Sequence, residues 1–360
     1  MAWTAAAAGR ASEALCAGFA ALDRDVQEQG FWDAEARTFA RALLGARGER
    51  GVQAADDRYT PFGLAGALRG HRQSGRGDRG HLRAAVDWAS ARLGPETPSD
   101  SLYYGGIWAL IEAARTFDDD RMRAQAQALA QATRTAFLAS VDLNYGVGLF
   151  ALSQLAALTP EDRDLRDAVA SKARQLAERV DARGYPLTGD RRAAYHQRLM
   201  YTSWGLLGAA ALLDDEAALR AASRILDAVT RNRIDADGGI RWHALIEWKM
   251  TPAGWPRLYP YGSNLYYECH QCFYLIALDL LHALAPVTDM AVPEKVLGWM
   301  FGHNRWHLDL TTQGVNGLPV RCVARSGRVA PPPNRFKGCY EVGAYLWQMS
   351  NVTANAVEAD

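Results

Sequence analysis

The sequence predicts an all-α protein: an (α/α)6 toroid, a double ring of about twelve helices with a short β-hairpin in a long loop. It fills residues 1–360 as a single catalytic domain. Three observations point there. One phrase recurs loosely six times: an aromatic, a small residue, then a helix rich in Leu, Ala and Gly. Helices of a second kind, apolar on one stripe only, lie between the recurrences. The connections are short on one side of the pattern and long on the other. A helix that is apolar nearly all round must be buried. Six of them are covered most simply as an inner ring inside an outer ring of amphipathic ones. A solenoid of helical hairpins would want a uniform repeat length, which the recurrences lack.

In chain order, ASEALCAGFAALDRDVQEQ is the first amphipathic helix. The first apolar one is YTPFGLAGAL from Tyr59, followed by amphipathic HLRAAVDWASARL. YYGGIWALIEA from Tyr103 pairs with DDRMRAQAQALAQATRTAFLA, and YGVGLFALSQL from Tyr145 with PEDRDLRDAVASKARQLAERV. YTSWGLLGAAALL from Tyr201 pairs with DEAALRAASRILDAVTRNRI. YYECHQCFYLIALDLL from Tyr266, PEKVLGWMFGHNRW and YEVGAYLWQMS from Tyr340 complete the set. Acids crowd the starts of the amphipathic helices and arginines their ends, as the helix dipole favours. Asp118-Asp119-Asp120 resembles the acid motif of class II terpene cyclases, but it follows one helix and opens the next. It reads as a short loop with an N-cap. TFDDD and LLDDEA are short inner-to-outer connections. The last two outer-to-inner connections run from about Ile234 to Ser263 and from His303 to Gly338. GGIRWHALIEWK, in the first of these, alternates like a strand or hairpin. All the long loops therefore open on one face, at the N-terminal ends of the inner helices.

The composition excludes several classes. Lys and Arg number 40 and Asp and Glu 40, so no basic excess points to nucleic acid. The Ala-rich start is broken by Arg10, Glu13 and Asp23, unlike a signal peptide, and no apolar run reaches the roughly 20 residues of a membrane span. A soluble, cytoplasmic chain is expected, with homo-oligomerisation left open. No P-loop or dinucleotide fingerprint sits in the required strand-to-helix context, and no cofactor is expected. CHQC invites a metal reading. Yet Cys269 and Cys272 stand within a helix and no second C-x-x-C exists, so buried thiols acting as small apolar residues are favoured over zinc. Five cysteines in a large chain without a leader also argue against a disulfide framework.

The site is expected at the mouth formed by the inner-helix N-termini. "YPYGSNLYYECHQC", from Tyr259 to Cys272, concentrates tyrosines, Asn264, Glu268 and His270 where a loop enters the fifth inner helix. On a helical wheel Asn264, Glu268 and Gln271 share a face. The candidate catalytic residues are His196, Tyr201, His270 and Glu268. The candidate substrate-binding residues are Tyr59, Tyr104, Arg198, His243, Trp248, Tyr261, Asn264, Tyr266, His303, Trp306, Lys337, Tyr340 and Glu341. Aromatic side chains at one face suit stacking on sugar rings, and would equally suit an isoprenoid cation. Abstracting a proton beside a carboxylate needs a base, often His or Tyr, and donors that neutralise the developing enolate. Glu247, Glu268, Asp309 and Glu341 offer instead the paired carboxylates of glycoside hydrolysis. Lys337 and Glu341, four apart, could simply pair with each other.

The alternation of helices with aromatic and polar residues at one mouth resembles the (α/α) toroid enzymes that act on carbohydrates: polysaccharide lyases, unsaturated-uronide hydrolases and sugar epimerases. The resemblance implies a small-molecule or oligosaccharide substrate. Its leading form is a lyase or epimerase acting beside a uronate-like carboxylate, with a glycoside hydrolase as the alternative. His196, Arg198, Tyr201 and Asn264 match the Asn, His, Tyr and Arg set of such lyases in residue type. NLYYECHQCFYL also resembles the cysteine-bearing helix of linalool dehydratase-isomerase, which would give Cys269 acid–base work in terpenoid chemistry. The second cysteine of that pattern is Pro260 here. A toroid that binds a ligand without catalysis is the remaining alternative.

Overall fold

The computed structural model describes residues 1–44, 51–186, 196–241, 247–250, 256–259, 265–312, 314, 316–329 and 336–356. Of residues 44, 247–250, 256–259 and 336 only the strands they form are described. The elements in order are α1 (Ala5–Asp23), β1 (Trp32–Asp33), β2 (Thr38–Phe39), β3 (Ala42–Leu44), β4 (Gly51–Gln53), α2 (Tyr59–Ser74) and α3 (Arg79–Arg92). A helical turn α4 (Ser99–Ser101) runs through a π-helical turn, Leu102–Gly106, into α5 (Ile107–Phe117). Then follow α6 (Asp120–Ala139), α7 (Tyr145–Leu158), α8 (Arg163–Ala177), α9 (His196–Leu213), α10 (Glu216–Arg233), β5 (Glu247–Met250), β6 (Pro256–Tyr259), β7 (Leu265–Tyr267), α11 (Glu268–His282), α12 (Ala291–Met300), β8 (Cys322–Ala324), β9 (Phe336–Gly338) and α13 (Cys339–Ala354).

The arrangement is the double ring. Helices α2, α5, α7, α9, α11 and α13 each pack on the next, and α13 closes the circle against α2. Outside them α3, α6, α8, α10, α12 and α1 pack in turn on α2, α5, α7, α9, α11 and α13. The two rings follow from different local chemistry. Five outer helices start on a side chain that accepts a backbone N–H of the first turn: Thr4, Asp78, Asp119, Asp162 and Asp215. Asp119 in the triple-Asp stretch is such a cap, as expected of it. Five inner helices, α2, α5, α7, α11 and α13, leave the residue at their own N-cap without such a bond. Asp56 instead accepts from Tyr59 N at 2.6 Å at the start of α2, and Glu341 accepts from Gly338 N at 2.8 Å at the start of α13.

Close approach of inner neighbours depends on glycine. A Cβ on Gly66 would stand 2.4 Å from the Gly343 backbone, and one on Gly146 2.2 Å from the Tyr201 carbonyl oxygen. The centre of the ring is filled by aromatics. Phe62 on α2 reaches Tyr201 on α9 across the ring, with centroids 5.8 Å apart, and Trp204 packs on Phe273 at 5.5 Å and on Trp347 at 5.3 Å. The mouth therefore has a floor.

The long connections build small sheets beside the mouth. β3 pairs antiparallel with β4 and with β9, β7 with β8, and β5 with β6. A β5–β6 hairpin does form in the expected long loop, with Glu247 opposite Tyr259, but it overlaps only the end of the GGIRWHALIEWK stretch. The fifth inner helix differs from expectation. Leu265–Tyr267 is a strand held by β8, so α11 starts only at Glu268 and not ahead of Tyr266. Gln271 turns from Glu268 to accept the Ile240 N–H at 3.1 Å.

Candidate active site

Four inner helices meet at the floor of the mouth. The π-helical turn before α5 sends Tyr103 outward onto Phe137 and Tyr104 inward. The Tyr104 and Tyr201 hydroxyls lie 3.0 Å apart, and Gln197 Nε2 donates to both at 2.8 Å. Gln197 and Tyr201 stand one turn apart on α9, which aims both side chains at one point. The hydrogen-bond count is decisive. Each phenol oxygen accepts one amide hydrogen, and one phenol donates to the other. One phenolic hydrogen of the pair is left over for something else. Burial pushes both phenols well above the ordinary range, so they stay protonated and act as donors. The half-buried Tyr59 and Tyr340 form the next tier, 5.2 Å apart by centroid, with the Arg41 guanidinium 4.7 Å over the Tyr59 ring and Arg58 4.9 Å over Tyr104.

Two buried carboxylates stand in the wall between α11 and α13. Glu268 is fully buried and ion-paired with Lys337. Glu341 accepts from Arg321 Nε at 2.6 Å and from the Tyr340 hydroxyl at 3.0 Å. Lys337 thus pairs with Glu268 and not with Glu341, because β9 carries it into the wall ahead of α13. Burial pushes the Glu268 carboxyl up to about 7; the Lys337 ammonium opposes this and Glu341 adds to it. For Lys337, burial alone would lower the pKa, but Glu268 and Glu341 outweigh it and raise it. The Cys269 thiol lies 3.9 Å from Glu341 Oε1, and burial raises it far out of the thiolate range.

The two histidines stand side by side between α9 and α11, ring centroids 5.0 Å apart. His196 Nε2 lies 3.2 Å from the His270 carbonyl oxygen. A carbonyl only accepts, so Nε2 carries the hydrogen and Nδ1 the lone pair. That buried Nδ1 has no partner among the described residues. Burial and the nearby Arg233 charge lower His196 to about 3, and burial holds His270 well below its usual value. Both rings are neutral, and His196 presents an unspent acceptor.

The other expected site residues divide. Tyr59, Tyr104, Tyr201, Lys337, Tyr340 and Glu341 gather at the floor and its wall. Tyr266 turns outward, donating to Asp235 Oδ2 at 2.5 Å and packing on Trp299 and Trp306, so Tyr266 and Trp306 form a separate cluster under the loop that Arg305 ties to Asp237. His303 is exposed at the end of α12, and Arg198 is half-buried on α9. His243, Tyr261 and Asn264 lie outside the described residues; Trp248 is described only as opposite Leu258 in the β5–β6 hairpin. Two floor residues escaped the sequence reading. Gln197 was findable from its i, i+4 spacing to Tyr201; Arg321 sits in a loop with no local signal. No group of three His, Cys, Asp or Glu among the described residues could hold a metal, and all five cysteines are free thiols. No helix among them is long and apolar enough to cross a membrane.

No protein-family model and no curated protein sequence matches the chain. Solved structures do. An unsaturated glucuronyl hydrolase specific for heparin superposes with a TM-score of 0.67 at 12% identity, over 96% of either chain. A cellobiose 2-epimerase from Bacillus thermoamylovorans gives 0.65 at 11%, over 96% of this chain and 98% of that one. An α-1,6-mannanase from Salegentibacter gives 0.62 at 11%, again over 96% and 98%. At such identities the likeness establishes the fold, and the fold is the (α/α)6 toroid of these carbohydrate-active enzymes.

Proposed function

We propose that this chain is an enzyme acting on a carbohydrate by proton transfer at a ring carbon, as a lyase or an epimerase does. The carrying observation is the phenol pair: Tyr104, Tyr201 and Gln197 leave one hydroxyl hydrogen unspent at the floor. Five residues before Tyr201 on α9 stands His196 with its lone pair, against the neutral His270 of α11. A donor and an acceptor not used on each other are what abstraction and return of a proton require. The Tyr59 and Tyr340 rings offer stacking faces above them. By itself His196 is a weak base. A substrate carboxylate bound within a few ångström would raise it, which favours a uronate-like sugar. That the structural neighbours include an unsaturated glucuronyl hydrolase, an epimerase and a mannanase supports the carbohydrate class and leaves the reaction to the site.

One observation favours a second reading, a glycoside hydrolase. Glu268, pushed up to about 7, stands near an Arg321-bound Glu341, so two carboxyls sit in unlike surroundings. Variant kinetics on a panel of uronate and neutral oligosaccharides separate the two. Tyr201→Phe, Tyr104→Phe and His196→Ala should each lower kcat by roughly 10²–10⁴. Full turnover in a His196→Ala, His270→Ala double variant would sink the assignment. Loss confined to Glu268→Gln and Glu341→Gln would select the hydrolase.

A further inference from the structure

At the opposite end of the ring, away from the mouth, three arginines surround one carboxylate. Glu112 on α5 is fully buried. Arg72 Nη2 lies 2.6 Å from its Oε2, and Arg69 Nη1 and Arg115 Nη1 lie 3.3 and 3.9 Å from its Oε1. Trp108 Nε1 adds a fourth donor at 3.2 Å. Arg115 spends its remaining reach on neutral Gln154 of α7, with Nη1 2.5 Å from Oε1. Three unit charges thus face one. Asp279, the other acid that feels Arg69, already holds Asn351 Nδ2 at 3.0 Å and the first amino group at 3.9 Å. The carbonyl ends of α2 and α5 offset about one further charge between them, at roughly half a charge per helix end. A positive surplus remains.

A second observation shows that one donor of the surplus is unspent. Arg69 Nε is buried with no partner among the described residues, while the Arg69 guanidinium lies 4.4 Å from the Trp347 ring centroid. The carboxylate is closed to solvent but the cations are not: the side chains of Arg69, Arg72 and Arg115 are 18, 35 and 19% exposed against 0% for Glu112. An anion arriving from solvent would meet guanidinium edges first. Planar forks of this kind match tetrahedral oxyanions with paired hydrogen bonds.

We infer that Arg69, Arg72 and Arg115 form an oxyanion site for a phosphate-type group on the face opposite the mouth. The site is independent of the proposed reaction. Titrating the full chain with inorganic phosphate by calorimetry tests it, with ionic strength held constant by sodium chloride. One saturable site per chain is expected, with its affinity reduced at least tenfold in Arg72→Gln and in Arg115→Gln. Arg115→Gln keeps the two shorter partners of Glu112, so it serves as the folded control should Arg72→Gln unfold. The melting temperature of the wild type should rise and level off over the same phosphate range, by roughly 2 °C. Absence of heat beyond the chloride-matched blank would overturn the site. Unchanged binding in Arg115→Gln would do the same, since the phosphate would then lie elsewhere.

Discussion

At His196 the burial that keeps the ring neutral also sets how stability responds to acid. Its folded pKa, about 3, lies below the ordinary value near 6.5, so below pH 6.5 the unfolded chain takes up the proton first. The stability it contributes is present above that pH and is lost as pH falls. His270 acts in the same direction. Glu268, raised to about 7, acts oppositely: the unfolded chain loses its proton first, and stability falls between pH 4.5 and 7. Against the wild type, His196→Asn lacks one of these contributions. The wild-type advantage should therefore shrink by about 1.4 kcal/mol per pH unit between pH 6 and 4.5. Denaturant unfolding at several pH values measures it, and an advantage that does not change with pH would mean the ring is not held neutral. At this scale much was legible. Tyr59, Tyr104, Tyr201, Lys337, Tyr340 and Glu341 were expected at the mouth because the recurring phrases put them near the starts of inner helices. Which of them touch was not legible, since Lys337 chooses Glu268 over Glu341 through the path of a loop.

At the scale of elements, glycine decides how the inner ring closes. Gly66 and Gly343 bring α2 and α13 into backbone contact, and a Cβ on Gly66 would overlap the Gly343 carbonyl. Nothing flexible is there to yield. Gly66→Ala should destabilise the protein by about 1–3 kcal/mol, read by chemical denaturation, through forced separation of the two helices. Gly9→Ala on α1, with open space around its Cβ, is the contrasting control and should be neutral or slightly stabilising. The element pattern was readable because burial leaves a compositional mark. Tyr59 and Tyr145 begin α2 and α7, as expected from their phrases. The exceptions are local. His196 starts α9 five residues before Tyr201, and Tyr266 is drawn into β7 because β8 supplies hydrogen bonds that a helix start would leave unmet.

For the whole molecule, the toroid sends six helix N-termini toward one opening. Their partial positive ends favour negative charge developing above the floor, as an enolate or a bound carboxylate would require. The fold was legible from the alternation of two helix types. The reaction was not, since the floor is assembled from residues as far apart in sequence as Tyr59 and Tyr340. Incubating the protein with uronate and neutral oligosaccharides in D2O, and following the substrate by NMR, tests the central claim directly. Proton transfer at carbon predicts either deuterium at one ring carbon, as an epimerase leaves it, or that carbon's hydrogen lost to a new C=C bond, as a lyase leaves it, and neither in His196→Ala. Turnover with no carbon-bound deuterium, and with ¹⁸O from labelled water at the anomeric carbon instead, would contradict it.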